Sequence, residues 1–282
     1  KFPILNNGIT IVAKSLKAIG NRFCLNDYSI VNGCQTSHVI YNARLLQGID
    51  KMSIPTRIIV TNDEEIRNDV IRATNNQTQV KPEELEALSD FQKSLEMFYS
   101  ATKDDIQLFY ERRSKQFSNN SSIIKTRIIT IPNQIKSFAA MFLEEPHSVS
   151  RFYGRITKLL GISIFLKDHK PIIYYISALA FFRLDQQFRY FDLDPKYKKC
   201  RYHLLMILPY VVQKTSKPQF NSSKIEDYCD KIIEELKTTD SSAKLFKKIT
   251  DIMDKSGVNI NDRDTFKLQS TNESLLKSFK KR

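Results

Sequence analysis

The chain has 282 residues, 41% of them hydrophobic and 27% charged, which excludes a disordered or fibrous protein. The longest apolar run, residues 172–182, is too short to cross a bilayer, and no signal peptide is visible, so no membrane partner is predicted. Lysine and arginine number 44 against 31 acidic residues, a formal net charge of +13.

The first half of the chain shows the patterns of both strands and helices. β-Branched and aromatic residues predict strands over residues 8–16, 21–31, 55–61 and 124–132. Apolar residues at helical spacing predict helices over residues 37–47, 64–75 and 81–101. Thr36 or Ser37 is the expected N-cap of the first helix, and Gly48 is a plausible stop after it.

The second half is predicted to be mostly helical, over residues 133–145, 148–161, 171–191, 200–214, 223–239, 242–257 and 271–282. We therefore predict an α+β fold, with a mixed α/β N-terminal half and a mostly α-helical C-terminal half. The predicted domains are residues 1–131 and 132–282. The first domain is expected to be truncated at its N-terminus, because the chain begins with Lys1 and enters structured sequence at once.

The positive charge is concentrated in the second half. Residues 1–130 carry 17 basic and 14 acidic residues, whereas residues 131–282 carry 27 and 17, a net charge of +10. Such a basic half favours a nucleic-acid partner. A lysine-rich solvated surface is the alternative.

Cysteine and histidine are sparse and scattered. The four cysteines show no CxxC spacing and the four histidines form no ligand pattern, so neither a disulfide scaffold nor a local metal site is predicted. No cofactor is predicted within the chain. Reduced thiols indicate a cytoplasmic protein.

Three amide-rich blocks stand out: NNGIT (6–10), VNGCQT (31–36) and RATNNQTQV (72–80). Asparagine and glutamine side chains either satisfy turns or recognise polar ligands, and they serve recognition best when separate turns gather into one surface. The candidate residues are Asn6, Asn7, Asn32, Gln35, Thr36, Asn75, Asn76 and Gln77.

The VNGCQT block lies between a predicted strand and a predicted helix. A turn with glycine before a helix start exposes backbone N–H groups and can bind an anion. The alternative is an ordinary turn followed by a helix cap. Cys34 could be a nucleophile, but it lacks a patterned basic partner, and packing as a small hydrophobe is the plainer interpretation.

Two charged patches are further candidates. In YERRSKQ (110–116), Glu111, Arg112 and Arg113 could form a fork for phosphate or carboxylate, or an ordinary ion pair. In the second half, cations alternate with aromatic rings, as in surfaces that hold nucleic acid. A solvated loop is the alternative there. The candidate contacts are Arg189, Lys196, Lys198, Lys199 and Arg201, next to Arg183.

The blocks NNGIT, IVNGCQTS, RATNNQT and FYERR occur here in the order in which the AIPR family has them, and the chain resembles that family. These are bacterial proteins named for abortive infection and phage resistance. The resemblance covers residues 6–145 well and continues loosely to about residue 215.

The resemblance implies an antiphage defence protein that acts on or binds nucleic acid. Family members often carry an upstream PD-(D/E)XK-like nuclease region, so this chain would be the non-catalytic part of a larger enzyme, with Mg²⁺ only in that region. Within the chain no convincing catalytic set is predicted. Asp168-His169-Lys170 and 227–231 have suitable residue types but fit surface sequence. The alternative is a module that senses a phage protein, a nucleotide signal or a partner subunit. An independent enzyme using Cys34 or Glu111 is a third hypothesis, and a homo-oligomer is left open.

Overall fold

A computed structural model of the chain describes residues 8–20, 22–75, 86–190, 193–213, 215–262 and 264–280. Its α+β architecture confirms the predicted fold class. Contacts divide the chain into two compact units, Lys1–Lys81 and Pro82–Arg282. None of the described helices has the length and apolar composition that a membrane span requires.

In its described residues the first unit contains a three-stranded sheet and two helices. Its strands are β1 (Ile9–Ile19), β2 (Arg22–Asn32) and β3 (Thr56–Val60), and its helices are α1 (Cys34–Asn42) and α2 (Glu64–Asn75). A short 3₁₀ helix spans Ile49–Lys51. The sheet order is β2-β1-β3, with β1 antiparallel to β2 and parallel to β3.

The β1–β2 hairpin extends well beyond β3. β3 pairs with β1 only from Ile9 to Ala13, so the rest of the hairpin is two-stranded. Leu16 lies opposite Leu25 and Ala18 opposite Phe23, which places four apolar side chains on one face because alternate residues of a strand share a face. Phe23 is 62% exposed. The tip of the hairpin is therefore amphipathic, with an uncovered apolar face.

The second unit is built around a helical core. Its elements are α3 (Asp90–Ala101), β4 (Phe109–Glu111), β5 (Ile128–Thr130), α4 (Ile131–Met141), α5 (Pro146–Arg151), α6 (Tyr153–Thr157), α7 (Pro171–Tyr190), α8 (Arg201–Val212), α9 (Lys224–Leu236), α10 (Thr239–Lys255) and α11 (Gln269–Lys280). Four 3₁₀ helices span Asp104–Ile106, Lys125–Arg127, Pro195–Cys200 and Thr265–Lys267. β4 and β5 pair in parallel.

The residues before 131 pack into this helical core. The Tyr99 hydroxyl of α3 donates to Gln134 Oε1 of α4 at 2.5 Å, and Gln134 Nε2 donates to the Tyr174 carbonyl of α7 at 2.9 Å. Tyr99 and Tyr110 are almost fully buried in the same cluster. The domain boundary predicted after residue 131 therefore falls inside the second unit.

Two predicted helices differ in extent. Residues 76–85 lie outside the described part of the chain, and α3 begins only at Asp90, because the Ser89 hydroxyl accepts from Gln92 N–H and caps the helix there. The helix predicted over residues 148–161 is divided at Phe152, whose φ of −120° and ψ of 47° are not helical.

Candidate functional site

Two glycines let three separate chain segments of the first unit meet. Gly33 has φ +93°, and a Cβ there would lie 2.7 Å from the Gly8 carbonyl oxygen. A Cβ on Gly8 would lie 2.2 Å from the Pro55 carbonyl oxygen. Ile9 N–H donates to that same oxygen at 2.9 Å. The NNGIT and VNGCQT blocks and the start of β3 thus touch through their backbones, which only glycine permits.

The third amide block joins them through Asn32. Its Nδ2 donates to the Thr74 carbonyl oxygen near the end of α2, at 3.1 Å. Asn6, Asn7, Asn76 and Gln77 lie outside the described residues, as do the side chains of Gln35 and Asn75. Asn32 thus links the VNGCQT block to the RATNNQTQV block by a side-chain hydrogen bond.

A cavity of about 370 Å³ opens where these segments meet. We call it the motif cavity, and it is lined by Ile9, Thr10, Asn32, Pro55, Thr56, Arg57, Ala73 and Thr74. In the sheet register Thr10 of β1 pairs with Asn32 on one side and with Arg57 on the other. A hydroxyl, an amide and a guanidinium therefore form one row across three strands.

The predicted N-cap of α1 was wrong. The N-cap is Gly33, in the left-handed conformation, and it makes no side-chain cap. Thr36 and Ser37 lie inside the first turn, where the Ser37 hydroxyl donates to the Gly33 carbonyl oxygen at 3.1 Å. Cys34 is exposed, and its thiol contacts the Ile30 carbonyl oxygen at 3.9 Å.

The charged FYERR block belongs to the second unit, where Arg112 is held internally. Its Nε lies 2.7 Å from Glu96 Oε2, its Nη1 donates to the Ala87 carbonyl oxygen at 2.9 Å, and its side chain is 10% exposed. Burial raises the pKa of Glu96, but hydrogen bonds from Arg112 and Gln116 outweigh it and lower that pKa overall. For Arg112 the ion-pair alternative is therefore observed. Glu111 is half-buried in β4, and Arg113 is exposed.

A second cavity, of about 790 Å³, lies in the helical unit and is strongly basic. We call it the basic groove. Its lining residues are Ser150, Arg151, Lys198, Lys199, Arg201, Tyr202, Phe266 and Lys267. The five cations come from α5, the 3₁₀ helices Pro195–Cys200 and Thr265–Lys267, and the start of α8. Among these lining residues there is no carboxylate.

Backbone carbonyls orient several of the groove cations. Lys199 Nζ donates to the Asn261 carbonyl oxygen at 2.9 Å, and Arg201 Nε donates to the Lys198 carbonyl oxygen at 3.1 Å. Lys267 pairs with Asp264. Carbonyl contacts hold these side chains without neutralising them, so Lys199 and Arg201 keep their charge available to an anion.

The two rings of the basic groove are already engaged by the protein. Tyr202 stacks on Phe181, with centroids 6.0 Å apart and planes 10° apart. Phe266 is buried and meets the His203 ring edge-on at 4.9 Å. Phe266 is therefore closed to a base and Tyr202 has one face covered, so the groove offers mainly positive charge.

The family model described as AIPR protein matches residues 1–261. The chain belongs to the AIPR family. No curated protein and no solved structure matches it. The predicted resemblance is confirmed and extends beyond the residues that carried it, and AIPR membership indicates abortive-infection defence against phage.

Three of the five predicted nucleic-acid contacts of this AIPR protein, Lys198, Lys199 and Arg201, line the basic groove. Arg189 pairs with Asp185 at 2.6 Å and lines a neighbouring cavity of about 490 Å³ that shares Arg201. Lys196 pairs with Asp194 and Asp254 outside the groove.

Sequence reasoning missed Arg151 and Lys267, and it grouped Arg183 with the surface cations. Arg151 lies 45 residues before the KYKK pattern (196–199) and Lys267 lies 68 residues after it, so no spacing signal could join them to it. Arg183 is only 1% exposed and cannot contact a ligand. Lys267 also lies beyond the AIPR match.

A buried polar layer joins the helices that carry the basic groove. Asn272 of α11 donates through Nδ2 to His147 Nδ1 of α5 at 2.7 Å and to the Glu144 carbonyl oxygen at 3.3 Å. His147 Nε2 lies 3.1 Å from the Ser148 hydroxyl, which donates to Glu145 Oε2. This layer fixes the docking of α11 against α5.

His203 of α8 completes the layer. Burial lowers the pKa of His203 to about 3, while the neighbouring Asn272 side chain opposes that shift. His203 is therefore neutral near pH 7. Within the described ranges, no three His, Cys, Asp or Glu side chains gather as a metal site would require.

Proposed function

We propose that this AIPR protein binds nucleic acid through the phosphate backbone, with the basic groove as the contact surface. The observation that carries the proposal is the gathering of five cations from four elements in one groove whose lining has no carboxylate. Lys and Arg side chains so placed neutralise phosphates and release counterions, and this sequence-independent contribution dominates non-specific affinity. The ligand is cytoplasmic DNA or RNA of the infected cell.

The engaged rings of Tyr202 and Phe266 support backbone contact over base recognition. Base stacking needs an exposed aromatic face, and here Phe266 is buried against His203 and one face of Tyr202 packs on Phe181. The expected binding is therefore weakly dependent on sequence and strongly dependent on salt.

A paired substitution tests the proposal. Lys198→Gln with Lys199→Gln removes two groove charges, and Lys244→Gln with Lys248→Gln removes two exposed charges of α10 as the matched control. Fluorescence anisotropy with duplex DNA, single-stranded DNA and RNA across a salt series gives the slope of log K against log salt. For duplex DNA we expect the groove variant to lower that slope by about 2.

The control variant should keep the wild-type slope. Equal slopes for the groove variant and wild type, or salt-independent binding by wild type, would refute the groove as the contact surface.

Association with a PD-(D/E)XK-like nuclease that uses Mg²⁺ is a further part of the proposal, supported by the family resemblance. Plasmid cleavage by the full-length protein, with and without EDTA, tests it.

The alternative function is a protein-sensing module, and the hairpin of the first unit favours it. Leu16 and Phe23 are exposed on one apolar face of the β1–β2 tip. Such a face suits a protein partner. If Leu16→Ser with Phe23→Ser abolished phage protection while the groove variant protected normally, the sensing function would replace nucleic-acid binding as the better account.

A further inference from the structure

The motif cavity of the first unit has a chemistry of its own, separate from the basic groove. We propose that it binds a mononucleotide, through Arg57 to the phosphate and through Asn32 and Thr10 to the polar edge of the base or to the ribose. The inference goes beyond the nucleic-acid binding proposed above and uses none of its residues.

Some polar side chains of the motif cavity are already hydrogen-bonded within the protein. The Thr74 hydroxyl donates to the Val70 carbonyl oxygen at 2.7 Å, and the Thr56 hydroxyl donates to the Ile54 carbonyl oxygen at 3.4 Å. Asn32 uses one N–H on Thr74. Within the described residues its Oδ1 and second N–H have no other partner, so both can contact a ligand.

Arg57 supplies the charge. Arg57 is exposed on β3, and within the described ranges its side chain forms no ion pair or hydrogen bond. It is the single charged residue among the described lining residues, so the cavity favours an anion. A guanidinium binds phosphate through two parallel N–H groups, which a lysine could not do.

The end of α2 favours hydrogen-bond donors, whereas Arg57 favours an anion. Ala73 and Thr74 belong to the last turn of that helix, where the backbone carbonyl groups carry partial negative charge and the Thr74 carbonyl already accepts from Asn32. These carbonyls disfavour a bare anion but accept N–H and O–H donors. A ligand that satisfies both sides must carry a negative group together with donors, as a nucleotide does with its phosphate, ribose hydroxyls and base.

The size of the cavity is consistent with this ligand. At about 370 Å³ it lies at the lower end of small-molecule sites. The backbone contacts at Gly8 and Gly33 fix its walls, because neither position has room for a side chain. The terminal nucleotide of a strand presents the same chemistry, so the test must separate a free nucleotide from a strand end.

Isothermal titration calorimetry on the full chain provides the test. The probes are AMP, GMP, CMP and UMP, the four matching nucleosides, inorganic phosphate, and a 5′-phosphorylated oligonucleotide. At least one mononucleotide should bind more tightly than its nucleoside and more tightly than phosphate. Arg57→Gln should weaken that binding about tenfold or more, since it removes a charge-assisted pair.

Two further variants serve as comparison. Thr10→Val keeps the side-chain volume and should weaken binding severalfold, whereas Arg22→Gln, at the start of β2 and outside the cavity, should bind as wild type. The Lys198→Gln, Lys199→Gln variant should also bind nucleotide normally, so the two proposals fail separately. The proposal is overturned if no mononucleotide binds, if phosphate binds equally well, if only the oligonucleotide binds, or if Arg57→Gln changes nothing.

Discussion

Replacing Arg183 should lower the free energy of unfolding of the second unit by several kcal/mol, about 3–5. Arg183 is 1% exposed, and each of its five N–H groups has an acceptor. These are the carbonyl oxygens of Leu236 (2.9 Å), Lys237 (2.7 Å) and Asp105 (3.2 Å), Gln186 Oε1 (2.9 Å) and Thr239 Oγ1 (3.4 Å). Burial lowers the pKa of Arg183. The carbonyls at the end of α9 offset its charge, because a helix C-terminus is electronegative.

Arg183→Leu fills similar space but leaves buried carbonyls without donors. A buried acceptor left unsatisfied costs about 1–3 kcal/mol, and breaking a buried charged network costs about 3–5 kcal/mol in total. We therefore expect the free energy of unfolding of the second unit to fall by about 3–5 kcal/mol. Arg183→Lys keeps the charge but not the planar guanidinium with its five donors. Its free energy of unfolding should lie between those of Arg183→Leu and the wild type.

Urea unfolding followed by far-UV circular dichroism measures the loss, because the chain has no tryptophan to report it by fluorescence. Arg189→Leu is the matched control on the same helix. Arg189 is half-exposed and pairs with Asp185 at the surface, so its loss should cost less than about 1 kcal/mol. If Arg183→Leu unfolded within about 1 kcal/mol of wild type, or matched the control, the five-acceptor network would not be the stabilising feature described above.

Two further predictions concern backbone shape and pH. Gly33→Ala should destabilise the first unit by about 2–4 kcal/mol, because it adds both a left-handed strain and a Cβ 2.7 Å from a carbonyl oxygen. Gly20 has φ +57°, and a Cβ there would meet no atom within 4 Å, so Gly20→Ala should destabilise the unit by only about 1 kcal/mol. Amide hydrogen exchange of β1 measures both losses, and Gly33→Ala should show the faster exchange. Burial lowers the pKa of His203 from 6.5 to about 3, so the unfolded state binds its proton first and stability falls as the pH drops below 6.5. At pH 5 the loss is about 2 kcal/mol, and in His203→Gln the acid limb of the stability curve should flatten by that amount. An unchanged limb would contradict the assignment.

The sequence predicted the α+β fold because helical and strand periodicities depend on local spacing. It also predicted that amide turns would gather, and in the first unit Asn32 joins two blocks and Gly33 touches a third. The role of Arg112 could not be settled from sequence, since its partners Glu96 and Ala87 are 16 and 25 residues away.

The basic groove could be predicted only in part for the same reason. Lys198, Lys199 and Arg201 form a local pattern, but Arg151 and Lys267 reach the groove through the packing of α5 and the last 3₁₀ helix. The packing that unites them depends on buried contacts such as Asn272 to His147, and no local spacing encodes those contacts.

The packing of α11 beside the basic groove would couple the position of this helix to the proposed binding of a polyanion. Phe266 and Lys267 form one wall of the groove, and Asn272 anchors the helix that follows. If a polyanion binds the groove as proposed and touches this wall, it binds only when the segment is docked, so occupancy and docking would be thermodynamically linked. At a hundredfold excess of ligand over Kd, detaching α11 should cost about 2.7 kcal/mol more. Bound nucleic acid should therefore slow amide hydrogen exchange in α11.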